Sequence, residues 1–217
     1  MCLRCETERV PESTLVVGSL DALRAALVDD VLGPLRSNAD VVVLPTAAAY
    51  IGVAQTAVTT AQVFDALDVR VEALMVMDRG AADEPYFIDR LTAADLVVLC
   101  DGAALHARTV WRNTPTGEAI NRARSIVAVG AVATVLGEVM IDPRGGAPMV
   151  GLGYRTGLVF CVPASEEQLE RTRSLLDRDL ALVVLGPRAV LHCRDGVWRV
   201  VCADDVVVTR GTTVETL

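Results

Sequence analysis

The chain contains no lysine. All 20 of its cationic side chains are arginine, set against 28 aspartates and glutamates for a net charge of −8. Without lysine there is no Schiff-base or pyridoxal-phosphate chemistry and no Walker-type phosphate loop. An acidic chain lacking a basic run does not hold nucleic acid by neutralising phosphates. Aromatics make up only 4% of residues and histidines number 2, too few for a histidine-built metal site. No apolar run approaches the ~18 residues that cross a bilayer. The opening "MCLRCETERVPEST" places charges where a signal peptide needs an apolar segment. The expectation is a soluble cytoplasmic protein with neither membrane nor nucleic acid as partner.

Cysteine is present but unorganised. The 6 thiols (Cys2, Cys5, Cys100, Cys161, Cys193 and Cys202) carry no export signal with them and predict free side chains rather than disulfides. "CLRC", at Cys2 and Cys5, has metal-like spacing, but a zinc site needs four ligands and no second close pair follows. No metal and no cofactor are expected.

The chain is rich in aliphatic residues: hydrophobic side chains make up 52%, mostly Val, Leu, Ala and Ile. They fall in continuous runs: "TLVVGS" (14–19), "ADVVVLPTAAA" (39–49), "VRVEALMVM" (69–77), "DLVVLC" (95–100) and "SIVAVG" (125–130). Unbroken runs predict strands covered on both faces, as in a parallel sheet. Helical spacing lies between them: 20–35, stopped by Gly33 and Pro34; 51–67; 84–94; and one or two helices across 104–123. After residue 150 a strand (157–163), a charged helix (165–179) and several short strands with turns predict a β-rich ending added to the sheet. The fold class expected is an α/β three-layer sandwich, mostly parallel with helices on both faces. A tail (1–13) is expected to precede a single domain (14–217).

In such a sheet ligands settle beyond the carboxyl ends of the strands. Those ends read "VVLPTAAA", "AADLVVLCDGAALHARTVWRNTPTGEAI", "VAVGAVATVLGEVM" and "GLGYRTGLVFCVPAS". In order and spacing they resemble the cyanophycinase and peptidase E family of serine peptidases. That resemblance implies a class I glutamine amidotransferase-like fold. It aligns them with the family's "iPTAs" strand end, "GGN" turn, "GTSAGA" nucleophile elbow and histidine-bearing "DqHF" segment. It implies pocket-lining roles for Thr46, Asp101, Gly102, Gly130, Ala131 and Ala133, and it implies a homodimer, with residues 194–211 as interface material.

The departures from the family are chemical. Val132 stands at the nucleophilic serine, Cys161 at the aspartate and Pro163 at the catalytic histidine. Asp101-Gly102 replaces the usual Gly-Gly, and Ala103 or Ala104 replaces the asparagine. Valine has no lone pair to attack with and proline no group to take a proton. The resemblance therefore implies a divergent, catalytically inactive member kept for binding, assembly or regulation, with a protein partner or a small-molecule ligand. A β-branched residue at positive φ is an outlier, so an idle Val132 is expected to have relaxed to negative φ.

Other residues carry competing readings. Cys100 ends a strand before Asp101, with His106 about a turn further on. It reads either as a replacement nucleophile in a hydrolase or thiol enzyme, or as a small buried hydrophobe. Cys161, expected beside it, reads as a redox partner or as core. His106 and His192 read as bases or as satisfied structural residues. Arg155 reads as an anion clamp or as a solvated side chain. Trp111 and Trp198 read as core or interface.

Overall fold

β-branched runs become strands where both of their faces are covered. In the computed structural model, which describes residues 12–29, 31, 35–202, 205–211 and 213–215, the first is β1 (Ser13–Val17), buried throughout. It leads into α1 (Leu20–Val28), where the Ser19 hydroxyl accepts the Ala22 amide hydrogen. Such a cap stabilises by ~1 kcal/mol. The helix ends at Val28, earlier than its periodicity suggested, and the expected stop at Gly33 and Pro34 lies outside the described residues. Next come β2 (Ala39–Leu44), α2 (Val53–Ala61), β3 (Val69–Ala73), α3 (Pro85–Ala93) and β4 (Leu96–Leu99). The stretch after β4 folds as two helices, α4 (Ala104–Trp111) and α5 (Pro115–Arg122). They are parted by Asn113 at positive φ and by Pro115, which opens α5.

β5 (Ser125–Val129) completes the parallel set. It is followed by a 3-10 helix at Gly130–Val135, the short hairpin β6 (Val139–Ile141) and β7 (Pro148–Val150), and β8 (Leu158–Cys161). The charged helix is α6 (Glu166–Leu175). The ending comprises β9 (Ala181–Leu185), β10 (Val190–Arg194), β11 (Val197–Cys202), β12 (Val206–Arg210) and β13 (Thr213–Glu215).

The larger sheet has the order β11-β10-β1-β5-β4-β2-β3. The strands from β1 through β5, β4 and β2 to β3 run parallel, while β10 and β11 are antiparallel additions. One face packs α1 and the turn after α2 through Leu23, Val63 and Phe64. The other packs α3, α4 and α5 through Leu91, Trp111 and Ile120. This is the mostly parallel α/β sandwich expected. One feature differs: only β10 and β11 extend the main sheet. The strands β13-β12-β9-β8 form a sheet of their own, with Phe160 and Val183 packed into the larger core. Cys161, which ends β8, therefore belongs to a different sheet from the strand that Cys100 follows, and Pro163 lies on the loop beyond it.

Candidate functional site

The carboxyl ends of β2, β4 and β5 converge. Thr46 follows β2 and is fully buried, its hydroxyl donating to the Val76 carbonyl at 2.8 Å. Gly102 follows β4 at φ +144°, and a Cβ there would collide with the Ala47 carbonyl; the next amide, Ala103 N–H, donates to that carbonyl at 2.7 Å. Only glycine allows so close an approach of the two loops.

At the end of β5 the chain turns sharply, and the residue in the left-handed region is Gly130, at φ +61°. The described non-glycine residues with positive φ are Asn38, Asn113 and Asp195, so Val132 lies outside that region. Val132 is fully buried within the main core cluster, as is Ala133. The left-handed residue of the turn thus falls two residues before the position that the resemblance gives the nucleophile, and it is a glycine, which holds that conformation without strain.

The space above Gly130 is filled from the neighbouring loop. A Cβ built on Gly130 would lie 2.5 Å from each carboxylate oxygen of Asp101. Oδ1 of Asp101 accepts the amide hydrogens of Gly102 at 2.7 Å and Ala131 at 2.8 Å. In hydrolases with a nucleophile elbow, the amide of the residue after the nucleophile and an amide from a neighbouring loop hold the developing oxyanion. Here the Ala131 and Gly102 amides, beside the turn, both donate to a carboxylate oxygen of the chain itself.

The remaining candidates do not assemble around this point. Cys100 is buried on the opposite face of the sheet, its thiol 3.5 Å from the Thr60 hydroxyl. Burial pushes its pKa up to about 11. Cys161 packs with Ile141, Val159, Leu169 and Leu182 in a separate cluster, and burial lifts it to about 11 as well. The expected neighbourhood of Cys100 and Cys161 is not found, because the two cysteines end strands of different sheets. Pro163 is half-buried on the loop before α6. His106 is tied to other groups: Nε2 lies 3.0 Å from the Met77 carbonyl oxygen and Nδ1 3.4 Å from the Tyr50 hydroxyl, with the two rings edge to face.

Arg155 corrects the expectation of a solvated side chain. It is 6% exposed, bonded to the Tyr154 carbonyl and the Thr14 hydroxyl, and its Nε has no partner among the described residues. Trp111 is core, and Trp198 is half-buried against Phe160. Among the described residues no three His, Cys, Asp or Glu side chains gather as metal ligands, and no helix is long and apolar enough to cross a membrane. Cys2 and Cys5 lie outside the described residues.

Sequence reasoning named Asp101 as pocket lining but missed where its carboxylate goes. The signal was an acidic residue before a glycine at a strand end, which points the carboxylate toward nearby amides. A pairing of Ser13 with His192 was missed entirely, since nothing local in the sequence announces it.

No protein-family profile matches the chain, and no curated protein matches it. Solved structures do. A peptidase from an acI-B1 Actinobacterium superposes with a TM-score of 0.75 at 20% identity, over 96% of this chain and 95% of its own. A protein described as a peptidase E, from Listeria monocytogenes EGD-e, gives 0.62 at 12% identity, over 92% and 98%. The shared property is the fold, a peptidase E-like α/β sandwich.

Proposed function

We propose that this chain is a peptidase-fold protein whose strand-end site binds rather than hydrolyses. One observation carries the reading: a glycine holds the left-handed bend, and the Asp101 carboxylate occupies the amide hydrogens beside it. A nucleophile is missing from the bend, and two amides beside it are already taken by the chain's own carboxylate. The alternative nucleophile, Cys100, is buried and held as a thiol.

The role extends to assembly. β11 ends the larger sheet, with Val197 and Val201 exposed. Pairing two such edges makes a homodimer of the kind the family resemblance implies. Sedimentation of the purified protein reads the mass directly. Hydrolysis is tested with a mixed peptide library and p-nitrophenyl esters. The expected result is no turnover that depends on Cys100, Asp101 or Gly130. Turnover abolished by Cys100→Ala or Asp101→Ala overturns the proposal.

A further inference from the structure

At the other end of the larger sheet, the start of β1 meets the end of β10. Ser13 opens β1 and His192 lies on β10, 179 residues away in sequence. Their antiparallel pairing brings the Ser13 hydroxyl oxygen to 2.7 Å from His192 Nε2. Ser13, 6% exposed, also lines a cavity of about 470 Å³, within the size range of small-molecule sites, while His192 stands behind it and outside the lining. Its walls carry Arg36, Arg124 and Arg194 against Glu12, Asp95 and Asp195, with the Ser125 hydroxyl beside them. Three charges of each sign leave the cavity polar without selecting a net charge.

We propose that Ser13 and His192 form a nucleophile–base pair at this amino-terminal cavity, taking the acyl group of a small polar ester. A hydroxyl within hydrogen-bond reach of an imidazole is the arrangement that activates a serine. The ring must also be neutral to accept a proton. Burial chiefly, with Arg194 and Arg199 nearby, lowers the pKa of His192 and keeps it unprotonated. A neutral ring that accepts at Nε2 carries its hydrogen at Nδ1. In the first step the Ser13 oxygen bonds to the acyl carbon and its proton passes to Nε2. The ester C–O bond breaks, and the departing alkoxide takes the proton from Nε2. Water then attacks the acyl-serine, giving up a proton to His192, and the carboxylic acid leaves as Ser13 recovers its hydrogen.

The pair is independent of Asp101 and Gly130, which follow β4 and β5 at the opposite end of the same sheet's strands. The test is a fluorophosphonate probe on the intact protein, with the adduct mapped by mass spectrometry. Attack by Ser13 forms an O–P bond and expels fluoride, and the expected adduct lies on Ser13. His192→Gln is expected to slow labelling at least 10-fold, with p-nitrophenyl acetate hydrolysis falling in step. Ser13→Ala is expected to abolish both. An unmodified Ser13 in folded protein, or equal labelling with and without His192, overturns the proposal. Should a variant unfold, the wild-type map decides: modification of Ser13 ahead of Ser19, Ser37, Ser125 and Ser165 sustains it, and even or absent modification overturns it. Ester hydrolysis that survives Ser13→Ala and tracks Asp101 counts instead against the reading of the strand-end site.

Discussion

The Asp101 carboxylate accepts the Ala131 amide hydrogen at 2.8 Å and fills the space a side chain on residue 130 would need. A bend that elsewhere presents a reactive group is here closed by an acidic residue from the adjacent loop. The two positions constrain one another, because residue 130 must stay without a side chain while residue 101 keeps its carboxylate. The first prediction follows from that constraint.

Gly130→Ala should destabilise the protein by about 1–3 kcal/mol, since it combines positive φ with a collision against Asp101. Asp101→Gly removes the collision but not the backbone strain, so the two changes should not add. Urea denaturation of the four members of the cycle should show a coupling of at least ~0.5 kcal/mol. Strict additivity would mean the carboxylate does not occupy that space.

Cys100 should be nearly inert. With its pKa at about 11, only about one molecule in 10⁴ carries the thiolate at pH 7. Iodoacetamide on the native protein, read by mass spectrometry, should modify the half-buried Cys202 well before the buried Cys100. Unfolding in urea should erase the difference. Rapid native alkylation of Cys100 would revive its candidacy as a nucleophile.

Acid should weaken the fold partly through Asp95. The bidentate hydrogen bonds from Arg36 are the main cause that lowers its pKa, aided by the Asp40 amide and by Arg124. A group whose folded pKa is depressed contributes stability above its unfolded pKa, near 3.8, and that contribution disappears as pH falls through the folded value. Asp95→Asn should therefore lower stability at pH 7 by about 1–2 kcal/mol, more than an ordinary surface pair provides. The deficit relative to wild type should shrink below pH 4, which urea midpoints across pH 3–7 would show.

Arg155 is a buried cation with no carboxylate bonded to it among the described residues. Desolvation lowers its pKa, the mark of a charge held at a cost. Arg155→Met should leave stability unchanged or raise it, by up to ~1–3 kcal/mol in the urea midpoint. A loss beyond ~3 kcal/mol would reveal an opposing charge paired with it.

Much of the fold was legible because strand and helix periodicities are local. The runs at 39–44, 96–99 and 125–129 could be strands of little else, being apolar, β-branched and bounded by turns. Across 104–123 the periodicity leaves one helix or two open, and the structure parts α4 from α5 at Asn113 and Pro115. The partition of the late strands was not visible, because β8–β9 and β10–β11 have the same apolar character and differ only in which neighbour they pair with. For the same reason the sequence pattern sets Cys161 beside Cys100, and it does not show that Arg155 is drawn inward to a hydroxyl and a carbonyl that accept from it.

The order of residues by itself decided the α/β class and the lack of lysine chemistry, since composition and short-range pattern survive any arrangement of the chain. Only the folded structure decided that Gly130 holds the bend, that Asp101 closes it and that Ser13 meets His192. Those outcomes depend on contacts between segments far apart in sequence, and the distance and direction of such contacts are set by sheet order and loop packing.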